Sequence, residues 1–309
     1  MINLLNKYKL EMKLNYFLLA FVLYIFFVKC NFNKLWKTAI KLYKVIKQKQ
    51  VNNYFMNKKI FSIVTVCLNS QNTIEKTIRS ILKQQEYVRE YIIIDGLSKD
   101  LTLNVIKKYE YQFKTNDILL KVISEKDNGI YDAMNKGIDH SKGKIVSIIN
   151  SDDWYEKDAL SLISDFFNKN SNIDIVHGNL NYHCEGKVKK HIPKNKSNFF
   201  WFGMTLNHPT FFVKKKVYEK IKYNPNYKVA GDYNFLLRSI SMKIRYSYLN
   251  KTLINFSCGG ASSALLICIK ELHKAKIENG FSYFKTWIST FFMIFLTTAS
   301  LLKNFFIKF

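Results

Sequence analysis

The chain has 309 residues and a formal net charge of +25, and almost half of its residues are hydrophobic. This hydrophobic content excludes a disordered chain and predicts a folded protein with a substantial core. Only four of the 48 basic residues are arginines, whereas proteins that read nucleic acids depend on arginine for phosphates and base edges. We therefore interpret the charge as general basicity and expect no nucleic-acid partner.

The first 55 residues carry ten lysines and one glutamate, a net charge of +9. Residues 14–28 form an apolar segment, which is short for a span of about 20 residues. Residues 34–50 have the pattern of a basic amphipathic helix on an anionic membrane surface. Met56 begins a stretch that itself resembles a protein start. We therefore expect 1–55 to be a membrane-associating extension.

From Phe61 onward, apolar runs alternate with amphipathic stretches, which predicts strands alternating with helices. Strands that are apolar on both faces indicate a parallel sheet covered by helices on both sides. Ligands of such sheets bind beyond the carboxyl ends of the strands. The predicted strands are 61–67, 90–95, 118–125, 144–150 and 174–179, the predicted helices are 72–84, 99–109, 130–138 and 156–168, and the polar residues at strand ends are Asn69, Asp95, Glu125 and Asp152.

After about residue 180 this alternation fades, and we expect a mixed α+β region. Residues 287–302 are largely apolar but short for a span, which favours a helix that lies on or docks to a membrane. The predicted organisation is an extension (1–55), an α/β half (56–180), a mixed half (181–265) and C-terminal amphipathic or hydrophobic helices (266–309).

The five cysteines are Cys30, Cys67, Cys184, Cys258 and Cys268, without a CxxC pair or zinc-site spacing. This scatter indicates unpaired thiols in a reducing compartment. Two nucleotide-binding motifs are excluded, because no GxGxxG follows the first strand and the glycines from Gly137 have the wrong spacing for a phosphate loop.

Four acidic residues at three places in the sequence are candidates for chemistry, and each place has a structural alternative. Asp95 follows a strand and could accept hydrogen bonds from a ribose or base, or simply form a turn. Asp152 and Asp153 could ligate a divalent cation, or one of them could cap the next helix. Asp232 begins a predicted helix and could be a general base or only a helix cap.

The ordered segments FSIVTVCLNS, REYIIIDGLSKD, ISEKDNGIYDAMNKGID and GKIVSIINSDDW resemble family 2 glycosyltransferases with the GT-A fold. The later segments NHPTFFVKKKVYEKI, VAGDYNFLLRS and FSCGGAS resemble members that build bacterial surface polysaccharides. The resemblance runs from about Phe61 to Ser263. It implies inverting transfer of a sugar from a nucleoside-diphosphate donor, usually with Mg²⁺ or Mn²⁺.

The resemblance also implies roles for individual residues. Asp232 would be the catalytic base, and Asp152 and Asp153 would bind the metal. Asn150 stands where the family's DxDD motif has its first acid, so this position adds no charge and metal affinity should be lower. The nucleotide-sugar site would contain Asn69, Asp95, Asp127, Gly129, Asn135 and Asn150.

The resulting expectation is a metal-dependent glycosyltransferase of the hexosyltransferase type, acting in cell-surface polysaccharide biosynthesis. It would add a single sugar, because no QxxRW motif of processive synthases follows Asp232. Its acceptor would be a lipid-linked saccharide or an oligosaccharide, at the cytoplasmic face of the inner membrane. The alternative is a non-catalytic GT-A-like protein that binds saccharide or membrane. His208 and residues 258–262 could contact the acceptor or be structural.

Overall fold

A computed structural model of the chain describes residues 37–38, 40–47, 58–193, 200–258 and 265–307, with side chains in the last helix described as far as 295. Residues 1–55 and 56–309 form two units. In the first unit, residues 40–47 are helical and expose Leu42, Val45 and Ile46. The predicted apolar segment 14–28 lies outside the described residues.

Nine strands form one sheet in the described part of the second unit. In the order β3-β2-β1-β4, neighbouring strands are parallel, and the order continues β8-β6-β9-β5, with β7 paired to β6. The strands are β1 (Phe61–Cys67), β2 (Val88–Asp95), β3 (Leu119–Ser124), β4 (Ile145–Ile148), β5 (Trp154–Tyr155), β6 (Ile175–Cys184), β7 (Lys187–His191), β8 (Phe212–Lys214) and β9 (Tyr246–Ser257).

The predicted α/β fold with helices flanking a sheet is confirmed, but the sheet is mixed rather than mostly parallel. Strand β8 is antiparallel to both β4 and β6, and β6 folds back as a hairpin onto β7. The strands β6, β7 and β8 of these antiparallel pairs lie in the second half of the chain, where the strand–helix alternation of the sequence fades.

Helices cover both faces of the sheet. The helix predicted over 99–109 spans only Thr102–Lys107 in the structure, and a separate helix, Glu110–Thr115, follows it. The helices are α1 (Ile74–Leu82), α2 (Thr102–Lys107), α3 (Glu110–Thr115), α4 (Ile130–His140), α5 (Ala159–Lys169), α6 (Lys215–Tyr218), α7 (Gly231–Ser241), α8 (Leu265–Glu278) and α9 (Tyr283–Ile307).

The core consists of two hydrophobic clusters, one on each face of the sheet. Successive strand residues point to opposite faces, so Val64 enters one cluster and Ile63 the other. The Val64 cluster includes α4, α7 and α8, and the Ile63 cluster includes α1, α3 and α5. Because β1 is buried on both faces, its sequence is a continuous apolar run.

Cys184 and Cys258 form a disulfide, with Cα atoms 5.2 Å apart. The prediction that all cysteines are unpaired is therefore wrong for this pair. Strands β6 and β9 are parallel neighbours that end together, which brings together two cysteines 74 positions apart. Cys67 and Cys268 are free thiols.

Across the residues that the structure describes, no helix combines the length and apolar character needed to cross a membrane.

Candidate active site

Strands β2 and β3 are added on one side of β1, and the chain then returns to place β4 on the other side of β1. A crevice forms beyond the carboxyl ends of the strands at such a switch point. Here the loops after β1 and β4 meet, since the hydroxyl oxygens of Ser70 and Ser151 are 2.8 Å apart. Each serine lies three residues beyond the end of its strand. This equal spacing is the feature of the sequence that could have predicted the contact.

The carboxylate of Asp95 lies at this edge and is fully buried at the end of β2. It accepts hydrogen bonds from the backbone N–H of Ser98 (3.1 Å) and the hydroxyl of Ser124 (2.6 Å). The adjacent Gly96 leaves room for Asp127, because a Cβ atom on Gly96 would lie 3.1 Å from Asp127 Oδ2. The structure thus places Asp127 beside the end of β2, close to Asp95, and their roles in binding a nucleotide sugar stay predictions.

Asn69 has a left-handed backbone conformation, with φ of 52°. Its side-chain oxygen accepts a hydrogen bond from the backbone N–H of Lys99 (2.9 Å), and its own N–H donates to Ser98 (2.8 Å). Asn69 therefore joins the loops after β1 and β2. A role in nucleoside binding remains a prediction.

Lys136 on α4 pairs with the acids that follow β3. Its Nζ is 2.9 Å from both Asp127 Oδ1 and Glu125 Oε1. Hydrogen bonds with Asp127 and then Glu125 raise the pKa of Lys136, so its positive charge is firmly held. Gly129 precedes α4 with φ of 113°, a conformation that favours glycine. Lys136 was not singled out from the sequence, although its motif was.

Asn135 forms a two-point contact with the backbone of Tyr223. Its side-chain amide donates to Tyr223 O (2.8 Å), and its side-chain oxygen accepts from Tyr223 N (3.0 Å). These bonds hold α4 against the segment that leads to α7. Contact between Asn135 and a donor sugar remains a prediction that these bonds do not support.

Asp152 and Asp153 differ in exposure although they are adjacent. Asp152 is half-buried, and burial raises the pKa of its carboxyl. Asp153 has no exposed surface, and its Oδ1 accepts a hydrogen bond from the backbone N–H of Ser257 (2.9 Å). Burial, followed by the charge of Asp152, raises the pKa of Asp153 to about 8. Asp152 is therefore the member of the pair that a ligand can reach.

No group of three or more His, Cys, Asp or Glu side chains is arranged for a metal within the described ranges. Magnesium sites often use one or two carboxylates together with substrate phosphates. Asp152 and the half-buried Asn150 fit such a shared site. The buried Asp153 Oδ2 atom, which has no hydrogen-bond partner, also fits a cation nearby, since a positive charge would offset its own.

Asp232 lies in the first turn of α7 and is half-buried. Burial raises the pKa of its carboxyl, while the charge of His208 and a hydrogen bond from the backbone N–H of Tyr233 act in the opposite direction. The Tyr131 hydroxyl donates its hydrogen to Val229 O (2.6 Å), three residues before Asp232. Tyr131 belongs to α4, which starts just after Gly129, and its ring packs against Gly231, so it connects the segment before Asp232 to the loop after β3 that carries Asp127.

His208 lines the same region. Its Nε2 lies 2.7 Å from the hydroxyl of Tyr223. Burial lowers the pKa of His208, and the charge of Asp232 acts against this. Of the predicted acceptor segment 258–262, only Cys258 lies within the described residues.

Glu271 on α8 holds the loop before Asp232. Its carboxylate accepts three backbone N–H bonds, and nothing in the local sequence marked this residue. The donors are Lys228 (2.7 Å), Val229 (2.8 Å) and Ala230 (2.8 Å).

Comparison with known proteins agrees with this arrangement. A glycosyltransferase from Mycobacterium bovis, named for PGL/p-HBAD biosynthesis, is 26% identical over 67% of this chain and 80% of its own length. The putative teichuronic acid biosynthesis glycosyltransferase TuaG of Bacillus subtilis is 32% identical, over 37% of this chain and 44% of its own.

Solved structures share the fold. TarS of S. aureus, in complex with UDP-GlcNAc, has a TM-score of 0.57 at 18% identity, covering 73% of this chain and 69% of TarS. The mannosyltransferase PcManGT from Pyrobaculum calidifontis, in complex with GDP-Man and Mn²⁺, has a TM-score of 0.56 at 15% identity, covering 79% of each chain.

The sequence profile of glycosyl transferase family 2 matches residues 62–244, which is more than half of the chain. Together with the switch-point crevice and its acids, this match confirms the resemblance seen in the sequence. The chain belongs to glycosyl transferase family 2 and is a glycosyltransferase of the bacterial surface-polysaccharide type.

Proposed function

We propose that this protein transfers one hexose, with inversion, from a nucleoside-diphosphate sugar to a hydroxyl group of a lipid-linked saccharide. The observation that carries the proposal is the placement of Asp232. Its half-buried carboxylate, with a raised pKa, lies against Tyr131 at the start of α4, next to the loops that would hold the donor.

Asp232 would act as the general base. Its carboxylate takes the proton from the acceptor hydroxyl while that oxygen forms a bond to the anomeric carbon of the donor sugar. The bond from that carbon to the diphosphate breaks on the opposite side, and the diphosphate leaves with the electron pair. A raised pKa makes the carboxylate a stronger base.

Asp152, with Asn150, would hold Mg²⁺ or Mn²⁺, which supplies positive charge to the departing diphosphate. Asp153 is fully buried, and we assign it the task of fixing the loop through Ser257. The Mn²⁺ complex of the structurally similar mannosyltransferase supports a divalent metal.

The donor would lie over the ends of β1 and β2, with Asp95 and Asp127 near its nucleoside. TarS binds UDP-GlcNAc in the same fold, which supports a nucleoside-diphosphate donor here. Lys136 would keep Asp127 in position through their ion pair. The acceptor would approach from the side of Asp232.

We assign the enzyme to the cytoplasmic face of the inner membrane, where lipid-linked saccharides and sugar nucleotides meet. The +9 charge of residues 1–55 supports attraction to anionic lipids. A non-catalytic protein of the same fold is the competing proposal. It would bind neither donor nor metal at Asp152.

A donor screen would test the proposal. UDP-, GDP- and dTDP-hexoses with Mn²⁺ would be assayed for transfer to lipid-linked acceptors, and NMR would give the anomeric configuration of the product. Asp232→Asn should bind the donor by calorimetry but form no product. Transfer at the wild-type rate by Asp232→Asn, or product with retained configuration, would exclude the base assignment.

A further inference from the structure

Helix α9 buries polar side chains and exposes aromatic ones, which is the reverse of what is expected for a helix on the surface of a soluble domain. Such helices normally bury their apolar face and expose their polar face. Here the buried side chains are Thr286 (1% exposed), Ser289 (0%) and Thr290 (7%), and the exposed ones include Tyr283 (69%), Phe284 (76%), Trp287 (62%) and Phe291 (72%).

Polar contacts with α8 fix this orientation. Lys276 is fully buried and donates a hydrogen bond to the hydroxyl of Ser289 (2.7 Å). His273 Nδ1 lies 2.9 Å from the hydroxyl of Thr290. Turning α9 to bury its aromatic side chains would break both contacts and leave the Lys276 ammonium without Ser289. The aromatic face is therefore held outward.

The exposed side chains form one continuous stripe. Tyr283, Trp287 and Phe291 are spaced by four residues, and Phe284 is placed seven residues before Phe291, so all lie on one side of the helix. We call this stripe the aromatic face of α9. A contiguous exposed patch of four large aromatic side chains on a folded domain indicates an interaction site.

The charges near the aromatic face indicate what covers it. Lys270 on α8 and Lys285 on α9 are exposed, whereas Lys274 on α8 pairs with Glu278. The sequence from 283 to 309 contains three lysines and no acidic residue. Lysine is depleted at protein–protein interfaces, whereas lysine combined with Trp, Tyr and Phe is typical of the headgroup region of an anionic bilayer.

We propose that the aromatic face of α9 docks on a bilayer containing anionic phospholipids, lying in the headgroup region without crossing the membrane. Docking would also orient the catalytic side of the enzyme. Through Glu271, α8 holds the backbone of residues 228–230, directly before Asp232. This second point rests on the proposed function, whereas the docking itself does not.

The test is tryptophan quenching in the full-length chain by vesicles with brominated acyl chains. Vesicles of phosphatidylcholine alone would be compared with vesicles containing phosphatidylglycerol. We expect quenching only with the anionic vesicles, weakened by salt, and reduced when Trp287→Phe removes the tryptophan within the aromatic face. Quenching that is unchanged in Trp287→Phe would place the contact elsewhere, such as in residues 1–55, and overturn the proposal.

A flotation assay gives an independent measure. Phe284→Ser combined with Phe291→Ser should lower the fraction bound to anionic vesicles at least about tenfold, since each buried aromatic ring contributes strongly to interfacial binding. Tyr111→Ser is the matched control, because this aromatic residue on α3 is 75% exposed on another helix. Equal binding by the double variant and the control would contradict the proposal.

Two further outcomes are informative. The wild type could instead form a dimer in sedimentation that the double variant does not form, and bind no vesicles. That result would assign the aromatic face to a second copy of the chain and overturn membrane docking. Hydrolysis of the donor in solution should be equal in the wild type and the double variant. A loss of docking with intact hydrolysis therefore separates this inference from the proposed function.

Discussion

The ring of Tyr131 lies directly against the backbone of Gly231. A Cβ atom on Gly231 would be 2.6 Å from Tyr131 Cε2, closer than real side chains approach. Tyr131 begins the helix after the donor-side acids, and Gly231 immediately precedes Asp232. The contact therefore sets the distance between the donor side and the proposed base.

Gly231→Ala should displace the Tyr131 ring and with it Asp232. We expect a loss of transfer of at least about tenfold, with a destabilisation of about 1–3 kcal/mol from overpacking. Transfer kinetics and urea unfolding measure the two effects. Gly203→Ala is the control, because no atom lies within 4 Å of a Cβ there. Wild-type kinetics for Gly231→Ala would show that the contact does not position the base.

Transfer should depend on pH through Asp232. A general base must be deprotonated, so the rate should fall as the pH drops through the raised pKa of this carboxyl. Because burial places that pKa above the usual range, the fall should begin at a higher pH than for an exposed aspartate. Rate profiles at saturating donor would show this, and a rate that stays constant down to the ordinary carboxyl range would contradict it.

Asp152→Ala should abolish metal-dependent transfer while leaving the fold intact, because Asp152 is half-buried and lies outside the hydrophobic core. Asp153→Ala should instead lower stability, since it removes the acceptor of the Ser257 N–H. Thermal unfolding and Mn²⁺ titration of both variants separate these roles. A stable Asp153→Ala enzyme with weakened metal binding would reverse the two assignments.

Glu271→Ala should loosen the loop before Asp232, because three backbone N–H groups would lose their acceptor. We expect the rate of transfer to fall by about tenfold or more with little change in donor affinity. Glu278→Ala is a matched control on the same helix, where the carboxylate accepts a hydrogen bond from the Tyr227 side chain and pairs with Lys274. Equal rates in both variants would argue against a positioning role for Glu271.

Lys276 should make stability depend on alkaline pH. Burial lowers its pKa from 10.5 to about 8, so between these values the unfolded state binds more protons than the folded state. Stability should therefore rise as the pH increases from about 8 to about 10.5. Urea unfolding would show the slope, which Lys276→Met should remove and Lys270→Met, at an exposed site on the same helix, should keep.

Much of the first half of the fold could be predicted from the sequence. The apolar runs located β1 to β4 within a few residues. Strands β1 and β4 and most of β2 are buried on both faces and so have no polar alternation to obscure them, whereas the edge strand β3 is largely exposed. The same rule located Asp95 at the end of β2 and Asp152 beyond the end of β4. The position of Asp232 in a first helical turn followed from its apolar neighbours.

The rest depends on contacts between distant parts of the chain. Strand β8 has three residues, and its place between β4 and β6 is set by pairing partners rather than by its own pattern. Glu271 lies more than 40 positions from the loop that it holds, as its bonds to residues 228–230 show. The Cys184–Cys258 bond likewise requires the parallel pairing of β6 and β9.

The insertion of β8 has a consequence for motion. Strand β8 joins β1 to β4, under the proposed donor side, to β6 and β9, on the proposed acceptor side. All of them belong to one hydrogen-bonded sheet. The two sides therefore cannot swing as separate rigid bodies about a hinge when a sugar nucleotide enters. Any closure around the substrate must come from loops and side chains beyond the strand ends, while the sheet itself keeps its conformation.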